Sequence, residues 1–254
     1  MLIYPEWAAP ACVHAAMTTR LGGVSEGAFA SLNLGYSTED VRSHVMENER
    51  RAARALGVTT DAIRWVHQVH GSDVHAVESL ARNDPLGATS IRADAIVSRT
   101  RGLVCGIKVA DCMPVLLSGD GGRVVAAAHA GWRGLALGVL ERTIDAMDVP
   151  TTGLSVWIGP CVGRLAFEVG EDVRDAFLEH DDASSEHFLR RPHSPATAPK
   201  YLCDLVGLAR QRLERKGVRQ IAIDGRCTFS DPHRFFSHRR EARSGRMAAF
   251  IWID

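Results

Sequence analysis

The segment from residue 93 to residue 149 constrains the fold more than any other part of the chain. It alternates short apolar runs with turns, and the turn Gly119-Asp120-Gly121-Gly122 between two such runs is typical of a β-hairpin. Residues 133–147 then carry apolar side chains at the spacing of an amphipathic helix. This order predicts two antiparallel strands joined by the glycine-rich turn, followed directly by a helix.

The rest of the chain shows the same mixture of periodicities. Helical spacing predicts further helices over 39–56, 170–179 and 202–216. Extended, apolar runs predict strands over 63–70, 154–158, 221–223 and 247–253. Residues 180–200 are polar and contain prolines, which predicts a mobile surface loop. Because helices alternate with strands while hairpins intervene, we expect a mixed α/β sheet in one domain, residues 1–254.

The composition excludes several functional classes. The 254 residues include 30 basic and 30 acidic side chains, so the chain lacks the basic excess that is typical of nucleic-acid-binding proteins. No apolar run is long enough for a transmembrane helix, and the first ten residues lack the features of a secretory signal. We therefore expect a cytoplasmic protein without nucleic-acid or membrane partners, in which the six cysteines are free thiols.

Three side chains at strand-to-turn junctions are candidates for a catalytic site. Cys112 and His129 lie at the adjacent ends of the two predicted hairpin strands, and His70 ends another extended run just before a glycine. Two histidines and one cysteine are typical of a catalytic zinc site, which keeps a fourth position for water or substrate. A metal-free pair of Cys112 and His129 that performs acyl transfer is the alternative. We expect His67 to point away from the site, because its odd offset from His70 places it on the other face of a strand.

Two segments are candidates for binding an anion. Gly131-Trp132-Arg133-Gly134 precedes a predicted helix, whose free N–H groups together with Arg133 suit a phosphate, although a close helix–sheet crossing would also require the glycines. The segment 226–246 contains six arginines and two acidic residues, a local charge of +4, with three interleaved phenylalanines. It suits a phosphate beside a stacked ring, but a solvated loop with its phenylalanines in the core is also consistent with this pattern.

Motifs in order along nearly the whole chain resemble those of the YfiH-like family, which has been described as laccase-domain proteins, as purine nucleoside phosphorylases and as peptidoglycan editing factors. The matching segments are TTRLGGVSEG with SLNLG (18–35), VHG (69–71), ADAIVS (93–98), VADCMPVLL (109–117), HAGWRG (129–134), IGPCVG with FEVG (158–170) and FSHRREARSGR (236–246).

The resemblance implies a fold, a cofactor and an activity. The implied fold is an α/β sandwich of mixed β-sheets covered by helices, and the implied cofactor is one zinc ion held by His70, Cys112 and His129. Copper is less expected, because a copper oxidase needs several histidine-rich sites and this chain offers one convincing cluster. The implied activities are phosphorolysis of adenosine, inosine and methylthioadenosine, and deamination of adenosine, so the partners are a nucleoside and phosphate.

Matching motifs also imply substrate contacts, at Arg50, Ser237 and Arg239, in addition to the Arg133 considered above. Glu168 and Asp111 are candidates for the acid that protonates a departing amine. Two other functions remain open: an amidase, using either zinc or the Cys112 thiolate, that cleaves the muramyl–amino acid bond of peptidoglycan precursors, and a non-catalytic module that binds nucleotides. The sequence leaves the oligomeric state undetermined.

Overall fold

The computed structural model describes residues 1–79 and 91–254. None of the helices in these two ranges is both long and apolar enough to span a bilayer. The helices are α1 (Arg42–Leu56), α2 (Trp132–Ala136), α3 (Val139–Met147), α4 (Glu171–Leu178) and α5 (Leu205–Arg215). The strands are β1 (Leu2–Ile3), β2 (Val13–Thr18), β3 (Ile63–Arg64), β4 (Val74–Ala76), β5 (Ala95–Ser98), β6 (Val104–Val109), β7 (Met113–Gly119), β8 (Val124–Ala130), β9 (Ser155–Ile158), β10 (Glu168–Val169), β11 (Phe188–Arg190), β12 (Tyr201–Cys203), β13 (Gln220–Ile223) and β14 (Met247–Ile253).

The described strands form three sheets. One has the order β1-β2-β14-β6-β3, the second β13-β9-β7-β8-β5-β4 and the third β10-β12-β11. The pairs β3–β6, β4–β5 and β9–β13 are parallel, while the other pairs are antiparallel. The expected α/β class with mixed sheets is therefore confirmed.

The two large sheets pack face to face, and helices cover their outer faces. Side chains of alternate residues divide between the two faces of a strand, as Leu116 and Leu117 of β7 illustrate. Leu116 packs into the core between the sheets, whereas Leu117 packs into a second core beneath α2, α3, α4 and α5. Helix α1 covers the outer face of the five-stranded sheet, and side chains of both form a third, smaller core. The molecule is thus a sandwich of mixed sheets covered by helices, as the resemblance implies.

The predicted hairpin is confirmed and places the candidate site. Strands β7 and β8 pair antiparallel from Met113↔Ala130 to Gly119↔Val124, and Gly121 and Gly122 adopt positive φ angles of 63° and 88° in the turn. Since residue 112 immediately precedes β7 and residue 129 lies near the end of β8, the register brings their side chains to the same end of the six-stranded sheet.

Three elements differ from the expectations. The predicted helix over 133–147 is two helices, because Gly138 adopts a left-handed conformation with a φ of 86° between them. The strand expected over 63–70 is limited to β3, after which the chain makes an isolated bridge at His67 and turns at His70, whose φ is 60°. The loop expected over 180–200 contains β11, which pairs with β12.

Candidate metal centre

His70, Cys112 and His129 come together as predicted and are called the His–Cys–His cluster below. Their ligand atoms all lie within 4.8 Å of one another. The Cys112 Sγ is 3.8 Å from Nε2 of His70, and the two imidazole rings meet edge to face with centroids 4.9 Å apart. His129 is buried, Cys112 is partly buried and His70 is exposed, so the cluster opens to solvent on the His70 side.

Gly131 allows the three side chains to approach one another. A Cβ atom on Gly131 would lie 2.9 Å from the Cys112 Sγ and 3.1 Å from Cδ2 of His70. Any larger residue at this position would therefore displace two members of the cluster. Packing within the cluster therefore accounts for Gly131.

Asp94 organises the cluster and was not singled out as a site residue from the sequence. Its fully buried carboxylate accepts a hydrogen bond from Nδ1 of His129 at 2.8 Å. It also accepts the backbone N–H groups of Val69, His70 and Gly71 at 3.2, 2.9 and 2.7 Å. One carboxylate thus fixes the ring of His129 and the turn that carries His70. Asp94 lies in the motif ADAIVS, which was the available sequence signal.

Opposite charges stabilise each other within the cluster. Burial disfavours the thiolate of Cys112, but the charge and hydrogen bond of His129, with those of His70, lower the pKa of Cys112 to about 6. Burial likewise disfavours the imidazolium of His129, yet the Cys112 thiolate and the Asp94 carboxylate raise the pKa of His129 to about 9. Burial opposes ionisation of Asp94 as well, but its hydrogen bond and charge interaction with His129 lower its pKa.

The donor set of the cluster fits a zinc ion. The hydrogen bond from Nδ1 of His129 to Asp94 leaves Nε2 of that ring for a metal, and a carboxylate behind a ligating histidine is the usual support in zinc proteins. Cys112 offers the thiolate form that a metal needs. Two imidazoles and one thiolate leave a fourth coordination position, which is the pattern of catalytic rather than structural zinc sites.

Asp111 is a structural anchor beneath the cluster. It adopts a left-handed conformation with a φ of 80°, and its buried carboxylate accepts the hydroxyl of Thr228 at 2.6 Å. The other carboxylate oxygen accepts the hydroxyl of Ser237 at 3.0 Å and the backbone N–H of Arg239 at 2.6 Å. The carboxylate therefore ties the C-terminal segment to the turn that carries Cys112.

The remaining predicted residues occupy different environments. Ser237 is fully buried, and its hydroxyl donates to Asp111. Arg133 is exposed beside the ring of Trp132, whereas Arg239 is exposed with its guanidinium 5.4 Å from the ring centroid of Phe167.

Two candidates are engaged in ion pairs. Arg50 lies on α1 and pairs with Glu47 on the same helix. Glu168, a candidate acid, pairs with Arg191 at 3.2 Å. His67 is exposed and lies outside the His–Cys–His cluster, as expected.

The phenylalanines of the segment 226–246 favour a loop with its aromatic side chains in the core over a site that stacks a ring. Phe235 and Phe236 are buried, and Phe236 belongs to the core between the two large sheets. Arg240 donates to the backbone carbonyls of Thr228, Phe229 and Phe235, each at 2.8 Å, so it holds the segment together.

Comparisons with known proteins place this geometry in context. A model of the family described as multi-copper polyphenol oxidoreductase laccase matches residues 14–254. "Purine nucleoside phosphorylase YfiH" of Escherichia coli is 44% identical over 252 residues, covering 99% of this chain and 98% of that protein. "Purine nucleoside phosphorylase PA4543" of Pseudomonas aeruginosa is 46% identical over 251 residues, covering 98% and 97%. The crystal structure of Neisseria meningitidis protein NMB0706 matches with a TM-score of 0.90 and 40% identity, covering 100% of this chain and 99% of that one.

Proposed function

Since this chain belongs to the multi-copper polyphenol oxidoreductase laccase family, with relatives of 44% and 46% identity called purine nucleoside phosphorylases, we propose that it catalyses the phosphorolysis of purine nucleosides. The proposed substrates are adenosine, inosine and methylthioadenosine with inorganic phosphate. The observation that carries the proposal is the His–Cys–His cluster, because the Asp94 carboxylate pre-orients two of its ligands in a site open to solvent.

The proposed reaction replaces the glycosidic bond by a bond to phosphate. An oxygen of phosphate bonds to the anomeric carbon of the ribose, and the bond from that carbon to the purine nitrogen breaks. The purine leaves with the electron pair and takes up a proton, which gives the free base and a sugar phosphate. Positioning of the two substrates and stabilisation of the developing charges supply most of the acceleration in such reactions.

The residues of this chain have separate roles in the proposal. His70, Cys112 and His129 would hold a zinc ion, which supplies a positive charge that stabilises negative oxygen atoms of the substrates. Asp94 keeps His129 in the tautomer with Nδ1 protonated and holds the turn of His70 in place. Arg133 and Arg239, exposed near this end of the sheet, contact phosphate or ribose. Ser237 acts through Asp111 as a positioning residue, and Arg50 contacts substrate only if its pair with Glu47 opens.

The number of candidate metal sites among the described residues favours zinc over copper. Three ligands of this kind also occur in blue-copper centres, but a multi-copper oxidase needs further histidine-rich sites. Among residues 1–79 and 91–254, the His–Cys–His cluster is the one group of three or more metal-binding side chains. Elemental analysis of the purified protein separates the two metals directly.

Product analysis tests the proposed activity. Purified enzyme is incubated with adenosine, with and without phosphate, and the products are separated by liquid chromatography. Phosphorolysis predicts equimolar adenine and sugar phosphate, formed only when phosphate is present. Adenine without sugar phosphate would indicate hydrolysis. If neither the free base nor a sugar phosphate forms from adenosine, or from inosine or methylthioadenosine in the same assay, the proposal is contradicted.

Adenosine deamination is proposed as a second activity of the same site. It is supported by the donor set, because zinc deaminases of nucleobases use histidine and cysteine ligands around one zinc ion. The test is formation of inosine and ammonia from adenosine in phosphate-free buffer. Cleavage of a muramyl–amino acid bond without any reaction of adenosine would instead favour the amidase.

A further inference from the structure

Arg246 is a cation near the His–Cys–His cluster that lacks an acidic partner. Four of the six arginines in the segment 226–246 form ion pairs: Arg226 with Asp224, Arg234 with Asp231, Arg240 with Glu241 and Arg243 with Glu39. Arg239 and Arg246 form none with the residues that the structure describes. Four of the six positive charges are therefore paired, and the two that remain lie on these two side chains.

The guanidinium of Arg246 has one edge free for a ligand. Its Nη1 donates to the carbonyl oxygens of Ser244 and Gly245 at 2.8 and 3.0 Å, and lies 3.5 Å from the Ser244 hydroxyl. Within the described part of the chain, Nε and Nη2 form no hydrogen bond. These two donors share one edge of the planar group, which is the edge that binds two oxygens of a phosphate or carboxylate side by side.

The motif SLNLG holds Arg246 in place. The fully buried Asn33 accepts the backbone N–H groups of Gly35 and Arg246 with its side-chain oxygen, at 2.9 and 2.8 Å, and Leu34 donates to the carbonyl of Arg246 at 2.9 Å. A Cβ atom on Gly35 would lie 2.7 Å from Cγ of Arg246, so the glycine is needed for the arginine stem to lie against the loop.

Arg246 also faces the negative groups at the metal centre. Met247 of β14 pairs with Val109 of β6, which places Arg246 beside the turn that carries Asp111 and Cys112. Burial lowers the pKa of Arg246, whereas the charges of Cys112 and Asp111 act in the opposite direction. A metal ion on the cluster would neutralise the thiolate, so the guanidinium would then attract an external anion more strongly.

Lys108 places a second cation on the same face of the five-stranded sheet. Lys108 of β6 pairs directly with Ala248 of β14, and paired residues share a face of the sheet. Arg246 precedes Ala248 by two residues, so the alternation of side chains directs it to that face as well. Gly35 and Tyr36, adjacent in sequence, contact Arg246 and Lys108 respectively.

The ammonium of Lys108 lies against two aromatic rings. Its Nζ lies 4.2 Å from the ring centroid of Trp65 and 5.1 Å from that of Tyr36, and it forms no ion pair with a described residue. The nearby Glu49 is engaged by the hydroxyl of Tyr36 and the indole N–H of Trp65, both at 2.7 Å. Burial lowers the pKa of Lys108 to about 8. The charge of Glu49 acts in the opposite direction, and an anion beside the ammonium would add to its effect.

We propose that Arg246 and Lys108 form the binding site for inorganic phosphate beside the His–Cys–His cluster. This inference rests on the proposed phosphorolysis, for which it names the residues that hold the second substrate. Arg246 binds two phosphate oxygens through Nε and Nη2, and Lys108 adds a positive charge on the same face. Arg133 and Arg239 then contact the ribose and the outer side of the phosphate.

The test compares three substitutions in metal-loaded enzyme. Arg246→Gln removes the charge and the free edge, and is expected to raise the KM for phosphate by about tenfold or more, with the KM for the nucleoside changed less than about twofold. Lys108→Met is expected to raise the KM for phosphate by about threefold. Arg243→Gln is the matched control, because Arg243 is exposed and paired with Glu39, and it should leave both constants unchanged.

A binding measurement separates this inference from the proposed function. Calorimetric titration of each variant with inorganic phosphate needs no turnover. Weaker phosphate binding by Arg246→Gln than by the wild type supports the proposed phosphate site. If no sugar phosphate is formed in the same protein, the proposed function alone fails. Equal phosphate binding, or an equal KM for phosphate, in Arg246→Gln and wild type overturns the inference. If circular dichroism shows that Arg246→Gln is unfolded, Lys108→Met decides by the same criteria.

Discussion

The Asp94 carboxylate accepts a hydrogen bond from Nδ1 of His129 at 2.8 Å, in a fully buried environment. The same carboxylate accepts three backbone N–H groups from residues 69–71. It therefore joins the six-stranded sheet to the turn that carries His70. This support holds the ring of His129 and the backbone of the His70 turn in position.

Asp94→Asn is predicted to weaken metal binding by roughly 10- to 100-fold. The amide removes the negative charge behind His129, and its NH2 group would face backbone N–H donors that now bind a carboxylate oxygen. Competition with a zinc chelator measures the affinity. Asp73→Asn, the same change at an exposed position, is the control. Equal metal affinities in both variants would contradict the role given to Asp94.

The thiol of Cys112 is predicted to be ionised near neutral pH in the metal-free protein. Its pKa is about 6, because the charge and hydrogen bonds of its histidine neighbours outweigh the effect of burial, whereas the usual value is 9.0. Since the pKa is lowered, alkylation of Cys112 should accelerate as the pH rises through about 6 and then level off. Mass spectrometry of the peptide that contains Cys112 follows the rate.

His129→Gln provides the control for that titration. The substitution removes the main positive charge beside the thiolate, so the midpoint for alkylation of Cys112 should move to higher pH. A midpoint that stays near the usual thiol value in both proteins would show that the two side chains are not paired in solution.

Asp111→Asn is predicted to lower the free energy of unfolding by about 2–3 kcal/mol, because buried donors from Thr228, Ser237 and Arg239 lose a charged acceptor. Asparagine tolerates the left-handed conformation of this residue, so backbone strain does not contribute to the change in the free energy of unfolding. Denaturant unfolding of the metal-free protein gives the value.

Asp120→Asn is the matched control for Asp111→Asn. Asp120 is also left-handed, with a φ of 52°, but it is exposed at the hairpin turn and pairs with Arg123. Its substitution should destabilise the protein much less than Asp111→Asn does, because solvent screens an exposed ion pair. If Asp111→Asn is no more destabilising than this control, the carboxylate does not anchor the C-terminal segment.

The sequence predicted the parts of the site that depend on local pattern. The apolar runs and the glycine-rich turn indicate the pairing of β7 with β8, and that pairing brings Cys112 and His129 to the same end of the hairpin. The break at Gly138 was not predicted, because the apolar spacing continues across the residue and only its backbone conformation separates α2 from α3.

Contacts between distant segments could not be predicted in the same way. Asp94 lies in the matching motif ADAIVS, but the motif does not indicate which backbone N–H groups of another segment its carboxylate binds. The role of Arg246 depends on Asn33 and Gly35, more than two hundred residues earlier, and on the pairing of neighbouring arginines with acids. Ser237 was expected to contact substrate, but its burial beneath Asp111 favours a positioning role.

The central claim is that phosphorolysis takes place at the His–Cys–His cluster. The most direct test is the rate of phosphate-dependent adenine release from adenosine by zinc-reconstituted wild-type enzyme and by Cys112→Ala, both checked for folding by circular dichroism. We predict a rate for Cys112→Ala at least about 100-fold below that of the wild type, with zinc lost in parallel. A Cys112→Ala enzyme that releases adenine at the wild-type rate would contradict the account.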